Sequence, residues 1–149
     1  MKKDIKKILF IHPYFGNGGA EKGIKILSKY LAKDGYLIHL YCLKIDNDVA
    51  DQLSDISIIK SSSTRIIFSI FKFLKNLLKN KYSIVVPTQS PSISFYVPIV
   101  LFINFILKDL TIKILSFERL SPRIFYKSGR FKILRKFLYY FSLRYSDCL

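Results

Sequence analysis

Acidic side chains are scarce in this chain: ten Asp/Glu stand against 25 Lys/Arg in 149 residues, a net charge of +15. The deficit is uneven, with ten basic and seven acidic residues in positions 1–60 but fifteen and three in positions 61–149. An excess of that size points to a polyanionic neighbour: anionic lipid headgroups, nucleic acid or a phosphorylated substrate. A simply solvated basic face is the plain alternative. Cysteine is nearly absent. Cys42 and Cys148 offer neither a disulfide framework nor metal-ligand spacing, which fits a reducing, cytoplasmic setting and predicts no metal. Long apolar runs are missing too. The longest, Ile93 to Leu107, is broken by Pro98 and Asn104 and falls short of the roughly 20 residues that span a bilayer, so it predicts a buried or membrane-facing helix. The apolar stretch behind the basic opening residues is too short for a secretory signal. The length leaves no room for a second full domain.

Both familiar nucleotide fingerprints are lacking as well. After Gly16 and Gly18 the G-x-G-x-x-G spacing requires glycine where Glu21 stands, and Gly23 is followed by Ile24, not by the Lys-Ser/Thr of a phosphate loop. What is present from Lys7 to Lys33 is a strand, a glycine-rich elbow and a helix. The run Ile8–Ile11 has no polar alternation, as in a strand covered on both faces. Gly16, Gly18 and Gly19 are expected to take positive φ and let the backbone approach a ligand. A helix opening at Ala20 then presents unpaired NH groups and a partial positive charge, for which an anion is the natural occupant. The other reading makes the glycines a tight turn only.

Strand-like and helix-like segments alternate down the chain, the pattern of a single α/β domain with a Rossmann-like, doubly wound parallel sheet. Strands are predicted at Ile5–Ile11, Tyr36–Leu43, Ile56–Ile59, Ser83–Val86 (closed by Pro87) and Thr111–Leu115. Helices are predicted at Ala20–Lys33, Thr64–Asn80, Pro91–Lys108 and Gly129–Tyr145. In the first helix Ala20, Gly23, Ile24, Leu27 and Leu31 share a face, and Gly23 should let the helix sit close to the sheet. In the second, Arg65, Ser69, Lys72, Lys75, Asn76 and Lys79 form a basic arc opposite Ile66, Ile67, Ile70, Phe71, Phe73, Leu74, Leu77 and Leu78. Lys72, Lys75 and Lys79 are therefore candidate membrane-docking residues, unless the apolar arc simply covers the sheet. The last helix gathers Ile133, Leu134, Phe137, Leu138, Tyr140 and Phe141 opposite Lys132, Arg135 and Lys136. Asp147 to Leu149 stand where a further strand is expected to begin.

Three stretches carry a resemblance: GGAEK at Gly18–Lys22 behind the first strand, SFERLSPR at Ser116–Arg123 behind the fifth, and the basic helix leading into SDCL. Over nearly its full length the chain resembles the N-terminal domain of family 4 glycosyltransferases of the GT-B fold. The resemblance implies a peripheral enzyme half at the cytoplasmic membrane face, in polysaccharide or lipopolysaccharide synthesis. It would hold a glycan or polyprenyl-linked acceptor, while a separate C-terminal domain or subunit, with its E-x7-E glutamate pair, binds the nucleotide-sugar donor. No cofactor is implied. Gly16, Gly18 and Gly19 would face the donor diphosphate, where leaving-group charge develops. Glu118 and Arg119 would border the acceptor pocket at a strand end, with Glu118 also a candidate catalytic carboxylate. A Glu118 ion pair with Arg119 or Arg123 is the competing reading. His12, closing strand 1 before Pro13, is either an acceptor contact or a turn residue. Asp46-Asn47-Asp48 spells D-x-D but reads as a solvated loop. A non-catalytic membrane or partner-binding remnant is the alternative function. Nucleic-acid binding, argued from charge alone, ranks last.

Overall fold

The structure is a computed structural model in which residues 6–53, 56–61, 63–108, 111–117 and 132–147 are described. Among the described residues seven strands and five helices follow one another: β1 Lys7–Ile11, β2 Tyr14–Phe15, α1 Gly19–Lys33, β3 Leu37–Cys42, β4 Lys44–Ile45, α2 Asn47–Ala50, β5 Ser57–Lys60, α3 Ile66–Asn80, β6 Ile84–Pro87, α4 Ser90–Ile106, β7 Lys113–Ile114 and α5 Lys132–Arg144. Five strands form one sheet in the order β5-β3-β1-β6-β7, every pair parallel. The doubly wound Rossmann-like sheet is thus observed. A second, two-stranded parallel sheet, β2 with β4, sits beyond the ends of β1 and β3.

Why β1 carries an unbroken apolar run is visible in its neighbours. Ile8 and Phe10 join Ile24, Ile38, Leu40 and Val86 in a core on one face. Leu9 and Ile11 join Tyr41, Phe73, Leu77, Ile93, Val97 and Val100 on the other. With helices on both faces, successive residues are buried in opposite directions and no polar alternation survives.

Several sequence expectations shift. Pro87 does not close β6 but belongs to it, in register with Ile11. Although its missing N–H cannot donate, the strand still ends in register because Thr88 N donates to Ile11 O at 3.1 Å. Helix α4 runs straight through Pro98. Asn104, the polar break in the apolar run, bonds both backbone groups of Ile112, donating to the carbonyl at 2.8 Å and accepting from the amide at 3.1 Å. That clamp starts β7. Among the described residues no helix is long and apolar enough to cross a membrane.

The helix faces differ most. In α3 the buried side chains are Ser69, Phe73 and Leu77. Ser69, expected in the basic arc, is inside because its hydroxyl bonds Tyr96 Oη at 2.6 Å and its carbonyl accepts Tyr41 Oη at 2.7 Å. Phe71, expected in the apolar arc, is 78% exposed. In α5 the inward residues are Tyr139 and Ser142, whereas Ile133, Leu134, Phe137, Tyr140 and Phe141 face out. Gly23 of α1 lies on the helix face turned to the sheet and lines an apolar groove of about 440 Å³ together with Ile8, Phe10, Leu27, Val86 and Phe117.

Candidate functional site

The chain leaves β1 toward β3 and β5 on one side and returns to β6 and β7 on the other, so the winding reverses between β1 and β6. Such a switch point leaves a crevice at the C-terminal strand ends, where ligands of open α/β sheets bind. The residues directly after the paired ends, Ile11 and Pro87, are His12 and Thr88.

Their hydrogen bonds fix a proton order. Thr88 Oγ1 donates to the Ile11 carbonyl at 2.9 Å. A carbonyl only accepts, so the threonine has spent its one proton and must accept from His12 Nδ1, 2.7 Å away. Nε2 is therefore the ring nitrogen with a variable proton. It meets Glu21 Oε1 at 3.1 Å and Gln89 Nε2 at 3.3 Å. When neutral it accepts from Gln89; when protonated it donates to Glu21. Phe15 stacks edge-on against the ring at 5.4 Å. Burial pushes the His12 pKa below its ordinary value, and the Glu21 carboxylate opposes the shift without reversing it. His12 is fully buried. The expected acceptor contact is thus placed behind the crevice wall, and Glu21 stands in front of it.

The elbow is built differently from its expectation. Among the described residues only Gly35 and Lys81 have positive φ. Gly18 is the N-cap of α1 with φ −71° and ψ 175°, an extended conformation open to any residue. A Cβ on Gly16 would lie 3.0 Å from Asp46 Oδ2, and one on Gly18 would collide with Glu21 Oε2. A Cβ on Gly19 would meet nothing within 4 Å. Glu21, the third residue of the helix, folds back over the N-cap, where the helix dipole favours a carboxylate.

A small cavity of about 190 Å³ opens here, lined by Tyr14, Phe15, Gly16, Glu21, Lys44 and Asp46. The β2–β4 pairing assembles it, since Tyr14 is in register with Lys44 and Phe15 with Ile45. Asp46, read from sequence as loop, is the N-cap of α2, tied down by its own amide to Phe15 O at 3.1 Å. Two carboxylates and one ammonium line this elbow. A diphosphate approaching Gly16 and Gly18 would meet Asp46 and Glu21 first. No group of three or more His, Cys, Asp or Glu that could hold a metal occurs among the described residues.

Glu118, Arg119 and Arg123 lie outside the described residues. The segment that leads to them does reach the same sheet edge, because Phe117 N donates to Pro87 O at 2.9 Å. Lys72, Lys75 and Lys79 are all exposed on α3, far from any shared cluster with His12 in sequence, and Lys72 Nζ donates to the Lys60 carbonyl at 2.6 Å. Sequence reasoning missed Thr88, Gln89, Tyr14, Lys44 and Glu21 as site residues. Only Glu21 had a local signal, its position three residues after the N-cap. Comparison with family models, curated proteins and solved structures yields no match for this chain.

Proposed function

We propose that the chain is the acceptor-side lobe of a nucleotide-sugar-dependent glycosyltransferase, acting on glycan or polyprenyl-linked acceptors at an anionic membrane surface. The observation that carries the reading is the junction of β1 and β6: His12, Thr88, Gln89 and Glu21 converge where a doubly wound sheet reverses, beside an open polar cavity. The GGAEK elbow and the SFERLSPR segment turn that general ligand site into a sugar-transferase reading by resemblance. In this reading the donor nucleotide is held by a partner lobe, and Glu118 and Arg119 extend the acceptor side.

Helix α3 supplies the membrane contact. Its exposed aromatic and aliphatic residues Phe68, Phe71 and Leu78 share one face with Lys72, Lys75 and Lys79, all within an arc of about 120° at 3.6 residues per turn. Lysines that flank exposed rings reach up to headgroups while the rings enter the interface. The alternative, a docking module without chemistry, draws on the full burial of His12 and keeps this same face.

Amide shift mapping with UDP-glucose and with geranyl phosphate tests the site. UDP-glucose should shift His12 to Glu21, and geranyl phosphate should shift Thr88 to Ser90; shifts confined to other segments sink the reading. Co-sedimentation with phosphatidylglycerol vesicles tests the docking. At on the order of 1 kcal/mol per lysine, Lys72→Glu with Lys75→Glu should weaken binding at least about 30-fold. Unchanged sedimentation removes α3 from the membrane.

A further inference from the structure

We propose that Glu21 is the side chain through which the elbow meets its ligand, with His12 as a buried positioning residue behind it, and that the group received is a sugar ring and not a phosphate. This inference deepens the reading above and rests on it for the location of the site.

Accessibility assigns the two roles. His12 is 0% exposed, and its ring meets Thr88, Gln89, Glu21 and Phe15. Glu21 keeps 12% of its side chain exposed, gives Oε1 to His12, and borders the cavity. Because Thr88 holds the Nδ1 proton, only the Nε2 side of the ring responds to what happens at the carboxylate. With Nε2 protonated the ring donates to Oε1 and anchors that carboxylate oxygen; in either state of the ring Oε2 remains to accept from a ligand.

The cavity chemistry assigns the ligand class. Glu21 and Asp46 accept hydrogen bonds, Lys44 donates, and Tyr14, 55% exposed, offers a ring face to C–H groups. Neighbouring hydroxyls on one ring supply the matching donors and acceptors. A phosphate supplies only acceptors and negative charge, and it would face two carboxylates against one ammonium. At about 30 Å³ per water, the 190 Å³ cavity holds about six water volumes, room for one pyranose ring and not for an oligosaccharide.

The experiment is amide and imidazole NMR on the full chain with three probes: methyl glucoside, N-acetylglucosamine and inorganic pyrophosphate. One or both sugars should shift Tyr14, Gly16 and Glu21 and also the His12 Nε2 resonance, which a merely structural histidine would not show. Pyrophosphate should leave these signals unmoved. Glu21→Gln keeps the size of a partly exposed side chain, so the fold survives; it should weaken the sugar about ten-fold, the loss of a charged hydrogen bond, and admit pyrophosphate. Pyrophosphate binding at the wild-type elbow, or sugar binding indifferent to Glu21→Gln, overturns the proposal. If UDP-glucose and geranyl phosphate shift the β1–β6 junction while neither sugar does, this inference falls and the proposed function stands. If no probe shifts the junction, both fall.

Discussion

Removing one hydroxyl should loosen the whole junction of β1 and β6. Thr88→Val keeps the side-chain shape but deletes Oγ1, which accepts from His12 Nδ1 at 2.7 Å and donates to Ile11 O at 2.9 Å. The carbonyl keeps its bond from Thr88 N at 3.1 Å, so its loss is partial. The imidazole Nδ1–H loses Thr88 Oγ1, its side-chain acceptor. Thr88 is 1% exposed and His12 0%, so no water replaces the lost acceptor. A buried donor left unsatisfied costs roughly 1–3 kcal/mol, and the weakened carbonyl adds about 0.5–1 kcal/mol. We expect a loss of about 2–3 kcal/mol, read as a drop of about 1–1.5 M in the urea midpoint at a slope near 2 kcal/mol/M. Thr88→Ser retains both bonds and loses only a methyl group, for about 1 kcal/mol. In parallel, the long-range nitrogen spectrum of His12 should lose its Nδ1–H signature in the valine variant alone. A valine variant within about 0.5 kcal/mol of wild type, or a serine variant as damaged as valine, would refute the proton order derived from Ile11.

Three further outcomes are expected. The pKa values of His12 and His39 both lie below the ordinary 6.5, chiefly through burial, so the folded chain takes up protons later than the unfolded one. Their contribution is complete above about pH 6.5 and declines as acidification continues toward the folded-state values; a urea midpoint that rises between about pH 7 and about pH 5 contradicts this. Lys81 closes α3 with φ 50°, and Gly35 follows α1 with φ 85°. Lys81→Gly should therefore stabilise by about 0.5–1 kcal/mol and Gly35→Ala destabilise by about 1–2 kcal/mol, opposite signs in one thermal-melt series. Cys42 is buried with its thiol pushed up to about 11 by burial, so iodoacetamide at mildly alkaline pH should leave it unmodified until urea is added, as peptide mass spectrometry would read.

Much of the scaffold was legible because its signals are local. An unbroken apolar run marked β1, and the three long helices of positions 19–106 fell within a few residues of their expected ends. The two-residue strands β2 and β4 were not legible, since two residues carry no periodicity and exist as strands only by pairing with each other. Helical spacing revealed that α3 and α5 have unlike faces but not which one packs inward. In α5 the choice fell on Tyr139 and Ser142 over Ile133 and Phe137. Tyr139 reaches the cluster around Val97 and Val100 of α4, which the helix's own wheel cannot register.

By itself the sequence determined the order of elements, the parallel doubly wound class and the place of the glycine elbow, because these follow from short-range patterns of apolar residues and turn formers. Only tertiary structure decided what the elbow presents. His12 meets Thr88 and Gln89 across 76 and 77 positions, and it does so because β1 and β6 pair in one register. Asp46 reaches Gly16 through the β2–β4 pairing. A glycine-rich turn before a helix looks like an anion cradle when read along the chain. Folding adds Asp46 beside Gly16 and sets Glu21 over the N-cap, so the same elbow is lined by two carboxylates.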